Sequence, residues 1–187
     1  MDEKQKTRQK LLTAARDCLL ENGHALSTIK KIANHAGVNH GLVHHYFGSK
    51  ESLFLEVLLE EKRNFDSHLD SIHSESDMIE FLTKHLFMNA RLLVEFQAMT
   101  IQMPEIKKAI IEILELRKTQ LRERLNIQDE TARDIITSAM IGLAIQYNIN
   151  PDIPKEQILK NLFQLFNIDF QHNKIFSEKN SVHTKSE

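Results

Sequence analysis

Glycine and proline are scarce in this chain, five and three among 187 residues, and that scarcity limits the fold more than any other feature. An all-β domain needs Gly-, Pro- or Asn-rich turns about every eight to twelve residues, and this chain lacks them. Apolar residues instead return every three or four positions over long stretches, the period of an amphipathic helix. The sequence predicts an all-α fold. With 41% hydrophobic and 27% charged residues, it has the apolar surface for a packed core and is unlike a disordered polymer. The longest apolar run, Ala139 to Ile145, is far short of the roughly 18 residues that a membrane span requires. Met1 to Lys10 is polar, without the apolar stretch of a secretion signal. A cytoplasmic protein with no membrane partner is expected. Cys18 is the single cysteine, which excludes an internal disulfide framework and a cysteine-built zinc site.

The net charge of −2 conceals an uneven distribution. Residues 1–50 hold eight Lys/Arg against four Asp/Glu, a balance of +4, and residues 51–187 hold sixteen against twenty-two, a balance of −6. Five of the ten histidines and four of the five glycines fall within the first 48 residues. A basic, glycine-punctuated head on an acidic body points to an anion-binding module.

The spacing of Leu11, Leu12, Ala15, Cys18 and Leu19 predicts a first helix from about residue 4 to Asn22, stopped by Asn22-Gly23. Ser27 or Thr28 can cap a short second helix with the apolar face Ile29, Ile32, Ala33 and Ala36. After Gly37, Asn39 can cap a third short helix to Tyr46, and Ser49 a long fourth one. Further helices are expected over Met78 to Met103 (in one or two segments), over Glu105 to Leu125, from Asp129 to about Asn148, and from Pro154 to about Phe170. No internal repeat is visible.

Residues 28–47 read TIKKIANHAGVNHGLVHHYF. Two short helices joined by a tight turn at Gly37, with small Ala33 at their closest approach, have the spacing of a helix-turn-helix. Asn39, His40, His44, His45 and Tyr46 give the second of these helices a hydrogen-bonding face, and Gly41 would let it lie close to a groove wall. Lys50, at the start of the following helix, suits a DNA phosphate.

Residues 7–58, from TRQKLLTAARDCLLENG through STIKKIANHAGVNHGLVHHYFGSKESLFLEVL, resemble the DNA-binding domain of the TetR/AcrR family of transcriptional regulators. The likeness extends over helix, turn, helix and the aromatic-Gly-Ser-Lys-Glu junction. It implies an N-terminal three-helix DNA-binding domain over 1–48 and a helical ligand-binding and dimerisation domain over 49–171, while the polar composition of 172–187 suggests a disordered tail. It also implies DNA contacts by Thr28, Lys30, Asn39, His40, Gly41, Leu42, His44, His45, Tyr46 and Lys50. Two positions depart from the family pattern. His44 stands where members usually carry tyrosine, which implies a weaker or a pH-dependent contact, and Leu42 stands where a small polar residue is common, so base preference does not transfer.

The helix from Asp129 turns apolar nearly all round after Ser138, and the last helix carries doubled apolar positions. Both features suit helices that pack on their own domain and also on a second copy. Met140, Leu143, Ala144, Ile158, Leu159, Leu162, Phe163 and Phe166 are therefore the candidate homodimer interface. Phe87, Met88, Arg91, Phe96, Met99, Thr100 and Met103 are candidate contacts for a small apolar or amphipathic effector, because methionine and aromatic walls adapt to varied ligands. The resemblance implies such an inducer and, with it, release from the operator. No cofactor and no metal are expected. His40 and His44 have a zinc-capable i, i+4 spacing without a third ligand, and no nucleophile–base pair or phosphate loop suggests an enzyme. The alternatives are a small histidine-dependent metal-binding protein or enzyme, and a DNA-binding regulator with no effector.

Overall fold

The computed structural model describes residues 2–69, 72, 74–87 and 90–168, the side chain of Phe87 excepted. Among them every regular element is helical: α1 (Glu3–Leu26), α2 (Ile29–His35), α3 (Gly41–Phe47), α4 (Lys50–Leu69), α5 (Glu75–Leu82), a π-helical turn (Thr83–Phe87), α6 (Ala90–Met99), α7 (Pro104–Leu125), α8 (Glu130–Ile149) and α9 (Lys155–Leu165). The chain forms two compact units, Met1–Asn64 with Arg91–Ile110, and Phe65–Ala90 with Ile111–Glu187. The expected tail over 172–187 lies outside the described residues.

In the first unit the predicted α1 stripe is the buried one, with Leu11, Leu12, Ala15, Cys18 and Leu19 all sealed. Ile32 and Ala33 of α2, Val43 and Phe47 of α3, and Leu53, Phe54 and Val57 of α4 are buried as well. Burial pushes the Cys18 thiol above its ordinary range, with Glu21 adding to the shift, so it is an inert core group. Two ion pairs, Arg8 to Glu56 at 2.8 Å and Arg16 to Glu61 at 2.7 Å, and a Gln9 to Glu60 hydrogen bond at 2.8 Å link α1 to α4.

α1 is longer than its sequence signal. Gly23 leaves helical geometry at φ 74°, ψ 167°, yet helical hydrogen bonding resumes and carries the element to Leu26. Glu95 of α6 holds that irregular end: its carboxylate accepts the His24 backbone N–H at 2.8 Å and lies 3.0 Å from the His24 ring Nδ1. A Cβ at Gly23 would stand 3.0 Å from the same carboxylate, so glycine is needed there for space as well as for its dihedral angle. One helical turn earlier on α6, Arg91 donates to the Glu21 carbonyl at 3.3 Å.

In the second unit, Arg117 ion-pairs with Asp66, donates to Gln120 at 2.7 Å, and stacks its guanidinium 3.9 Å from the Phe65 ring centre. Burial drives the Arg117 guanidinium below its ordinary value, and the Asp66 hydrogen bond and charge oppose that shift. Phe65 meets Phe81 edge-on at 4.6 Å, and the His85 ring packs against Phe81 at 4.8 Å and His68 at 4.5 Å. Desolvation, then His68 and Lys84, push His85 below the usual imidazole range. Asp129 caps α8 by accepting the Thr131 N–H at 3.1 Å, as its position suggests. α9 ends at Leu165 rather than near Phe170, because Asn167 turns to a positive φ of 50°.

Candidate nucleic-acid interface

Each junction of the helix-turn-helix is fixed by a short polar contact. Thr28 caps α2, its hydroxyl accepting the Lys31 N–H at 3.2 Å. At the end of α2 the Val38 N–H returns to the Ala33 carbonyl at 3.0 Å while Gly37 adopts φ 67°. That left-handed step reverses the chain at little cost only for a residue without Cβ. Asn39 Oδ1 then accepts the Gly41 N–H at 2.8 Å. Gly41 has a local reason beyond any approach to DNA, since a Cβ there would sit 3.2 Å from that Oδ1. Past α3, Gly48 takes φ 75° and Ser49 starts α4, accepting the Ser52 N–H at 3.0 Å.

These constraints decide which way α3 faces. Val43 and Phe47, one turn apart, are buried. The opposite side presents Asn39, His40, Gly41, His44 and His45, all exposed, with Leu42 and Tyr46 half-buried at its borders. Tyr46 is braced edge-on between the rings of His45 at 4.9 Å and Phe47 at 6.5 Å. Thr28 and Lys30 are exposed on α2, and half-buried Lys50 holds its ammonium 5.5 Å from the Phe54 ring centre. Each expected DNA-contacting residue is therefore exposed or half-buried, and none is sealed in the core. Of the three histidines here, His44 has its ring tied to the backbone: its Nδ1 lies 3.0 Å from the Gly48 carbonyl.

The other candidate sets fall differently. Phe96 and Met99 are core residues of the first unit, Thr100 donates to the Gln97 carbonyl at 2.7 Å, Met103 is half-buried, and Arg91 is engaged as described. The Phe87 side chain and Met88 lie outside the described residues. Of the dimer candidates, Leu143, Ala144, Leu159 and Phe163 are buried within the chain, Ile158 is exposed, and Met140, Leu162 and Phe166 are half-buried. Ile135, Ile149 and Leu165 of the same helices are also exposed large hydrophobics. Leu165 belongs to the doubled apolar positions of the last helix, while Ile135 and Ile149 lie on a seven-residue recurrence with Gly142 that is hidden because α8 is apolar on several sides. Among the described residues no three His, Cys, Asp or Glu side chains gather to hold a metal ion, and no helix is long and apolar enough to cross a membrane.

Known proteins agree with this geometry. Residues 11–57 match the family model of bacterial regulatory proteins of the tetR family. The chain is 28% identical over 171 residues to the HTH-type transcriptional regulator UidR of Escherichia coli (strain K12), covering 84% of this chain and 87% of that one. It is 28% identical over 106 residues to the HTH-type transcriptional repressor AcnR of Corynebacterium glutamicum, covering 53% and 54%. In fold it is similar to Salmonella enterica GusR, with a TM-score of 0.71 at 21% identity, covering 89% of this chain and 98% of that one. With the family model lying on the helices whose polar face is described above, and a regulator matched along most of the length, the chain carries the DNA-binding domain of the tetR family and is similar to HTH-type transcriptional regulators.

Proposed function

We propose that the protein is a repressor that binds a pseudo-palindromic DNA operator as a homodimer and leaves it when a small molecule binds. One observation carries the DNA-binding half: Val43 and Phe47 anchor α3 inward, so His40, His44 and His45 stand together in solvent. A short helix whose outer face is made of hydrogen-bonding groups suits the major groove. Lys50 and the preceding Ser49 turn supply the phosphate anchor that sets register. The repressor assignment is supported by the likeness to AcnR, itself a repressor.

Dimerisation follows from the operator geometry, since two recognition helices must meet successive major-groove faces about 34–36 Å apart or a multiple of that spacing. The supporting surface lies on α8 and α9. Ile135, Gly142 and Ile149 recur every seven residues along one side of α8, and a Cβ at Gly142 would meet nothing within 4 Å. Ile158, Leu162 and Leu165 continue it on α9. Ile149 and Leu165, 78% and 74% exposed, are the kind of side chains that a second copy covers.

Effector binding has its support in the second unit. The hydroxyls of Thr83, on the π-helical turn, and Thr137, on α8, are buried without a hydrogen-bond partner among the described residues, and these two elements pack together. Leaving such a group unsatisfied costs about 1–3 kcal/mol, and π-turns concentrate where ligands bind. Selection of bound duplexes from a random pool tests the reading. An inverted-repeat consensus is expected; a half-site without symmetry would remove the dimer, and no enriched sequence would remove specific recognition.

A further inference from the structure

We propose that His44 grips a DNA backbone phosphate through Nε2 only when its ring is protonated, so that duplex binding takes up a proton. The proposal rests on the reading of α3 as the recognition helix. The chain itself fixes the tautomer. His44 Nδ1 lies 3.0 Å from the Gly48 carbonyl oxygen, and a carbonyl only accepts, so the proton of the neutral ring sits on Nδ1. The Gly48 N–H in turn donates to the His44 carbonyl at 3.0 Å, so the two residues are tied by backbone and ring together. The φ of 75° at Gly48 sets this closed turn.

Nε2 is left as the outward nitrogen of an exposed side chain. In the neutral ring it is an acceptor, and so is a phosphate oxygen; the two repel. Protonation makes Nε2 a charged donor and leaves the Gly48 bond intact, because both nitrogens of an imidazolium donate. The ring is bonded to the Gly48 turn at the C-terminal end of α3, two residues before Lys50 in the chain, whereas a recognition helix reads base edges mainly from its N-terminal residues. Its charged and titratable neighbours along the chain are His40 one turn back and His45 and Tyr46 on α3, with Lys50 and Glu51 at the start of α4. A tyrosine, as the family usually carries here, would donate its hydroxyl throughout this range of pH; histidine makes the same contact conditional.

The test measures dissociation constants by fluorescence anisotropy, at constant ionic strength between pH 8 and pH 5.5, for a duplex enriched from the random pool. The wild-type chain is compared with His44→Gln and His44→Tyr, with His40→Gln and His45→Gln as controls for general charge. Wild-type affinity should gain about tenfold more than that of His44→Gln over this range, a charge-assisted hydrogen bond's worth. His44→Tyr should bind tightly at pH 8 with a shallow profile like that of His44→Gln. Imidazole nitrogen resonances of the free protein at pH 8 should show the proton on Nδ1. Parallel wild-type and His44→Gln profiles would overturn the proposal while leaving the recognition helix in place, and so would a neutral ring protonated on Nε2. Failure to retain any duplex at low ionic strength would remove the recognition reading and this proposal with it.

Discussion

At the scale of single residues, the interface depends on small polar contacts that set direction. Asn39, His44 and Ser49 each spend one side-chain atom on a nearby backbone group, and those bonds hold α3 and the start of α4 in one presentation. Lys50 is different, since its ammonium rests beside Phe54 and offers DNA a charged donor on a flexible stem. Lys50→Ala should therefore weaken binding by a similar factor for every duplex and lower the salt slope by about one; filter-binding titrations across salt concentrations would check both. An unchanged slope would remove the lysine from the phosphate contacts. The residue types of this surface were legible in the sequence because hydrogen-bonding side chains clustered between two apolar anchors. The local reason for Gly41, room for the Asn39 carboxamide, was not, because it depends on an atom placed by the fold.

At the scale of elements, the end of α1 is the instructive case. Asn22-Gly23 reads as a stop, and Gly23 does leave helical geometry, yet the helix resumes because a carboxylate 71 residues further along the chain accepts the His24 N–H. No local pattern announces a partner at that separation. Removing the acceptor with Glu95→Ala would strand a partly buried N–H, at a cost of about 1–2 kcal/mol. Glu95→Gln keeps an acceptor oxygen and should recover most of that loss. Thermal unfolding, together with amide exchange at His24, reports the difference; equal exchange in all three proteins would mean that Glu95 does not hold this turn. The middle of the chain shows the same limit. Phe96 and Met99, candidates for an effector contact, are buried, and apolar spacing is identical for a core stripe and for a pocket wall.

At the scale of the whole molecule, the apolar face of α8 and α9 has the most direct consequence. Leu165→Glu or Ile149→Glu places a charge at a position that is exposed in the single chain, so the fold should survive. Sedimentation should then give monomers, and binding to an inverted-repeat duplex should fall steeply while single half-site binding changes little. Dimers of normal mass from both variants would move the interface elsewhere. The doubled apolar positions of α9 suggested a helix with two partners, but they could not say which member of each pair turned inward. Packing separates them: Leu159 and Phe163 are buried, whereas Ile158 is exposed and Leu162 half-buried.

The sequence by itself determined that the chain is helical, where most helices begin, and that a helix-turn-helix with a polar recognition face lies near its start. Those properties follow from periodicity, capping residues and glycine, which act over a few neighbouring positions. The tertiary structure alone decided how residues distant in sequence combine: the hold of Glu95 on α1, the stacking of Arg117 with Phe65 and Asp66, and which apolar side chains face outward. Such contacts depend on the relative placement of whole helices, and a periodic pattern gives the face of a helix without giving its neighbour.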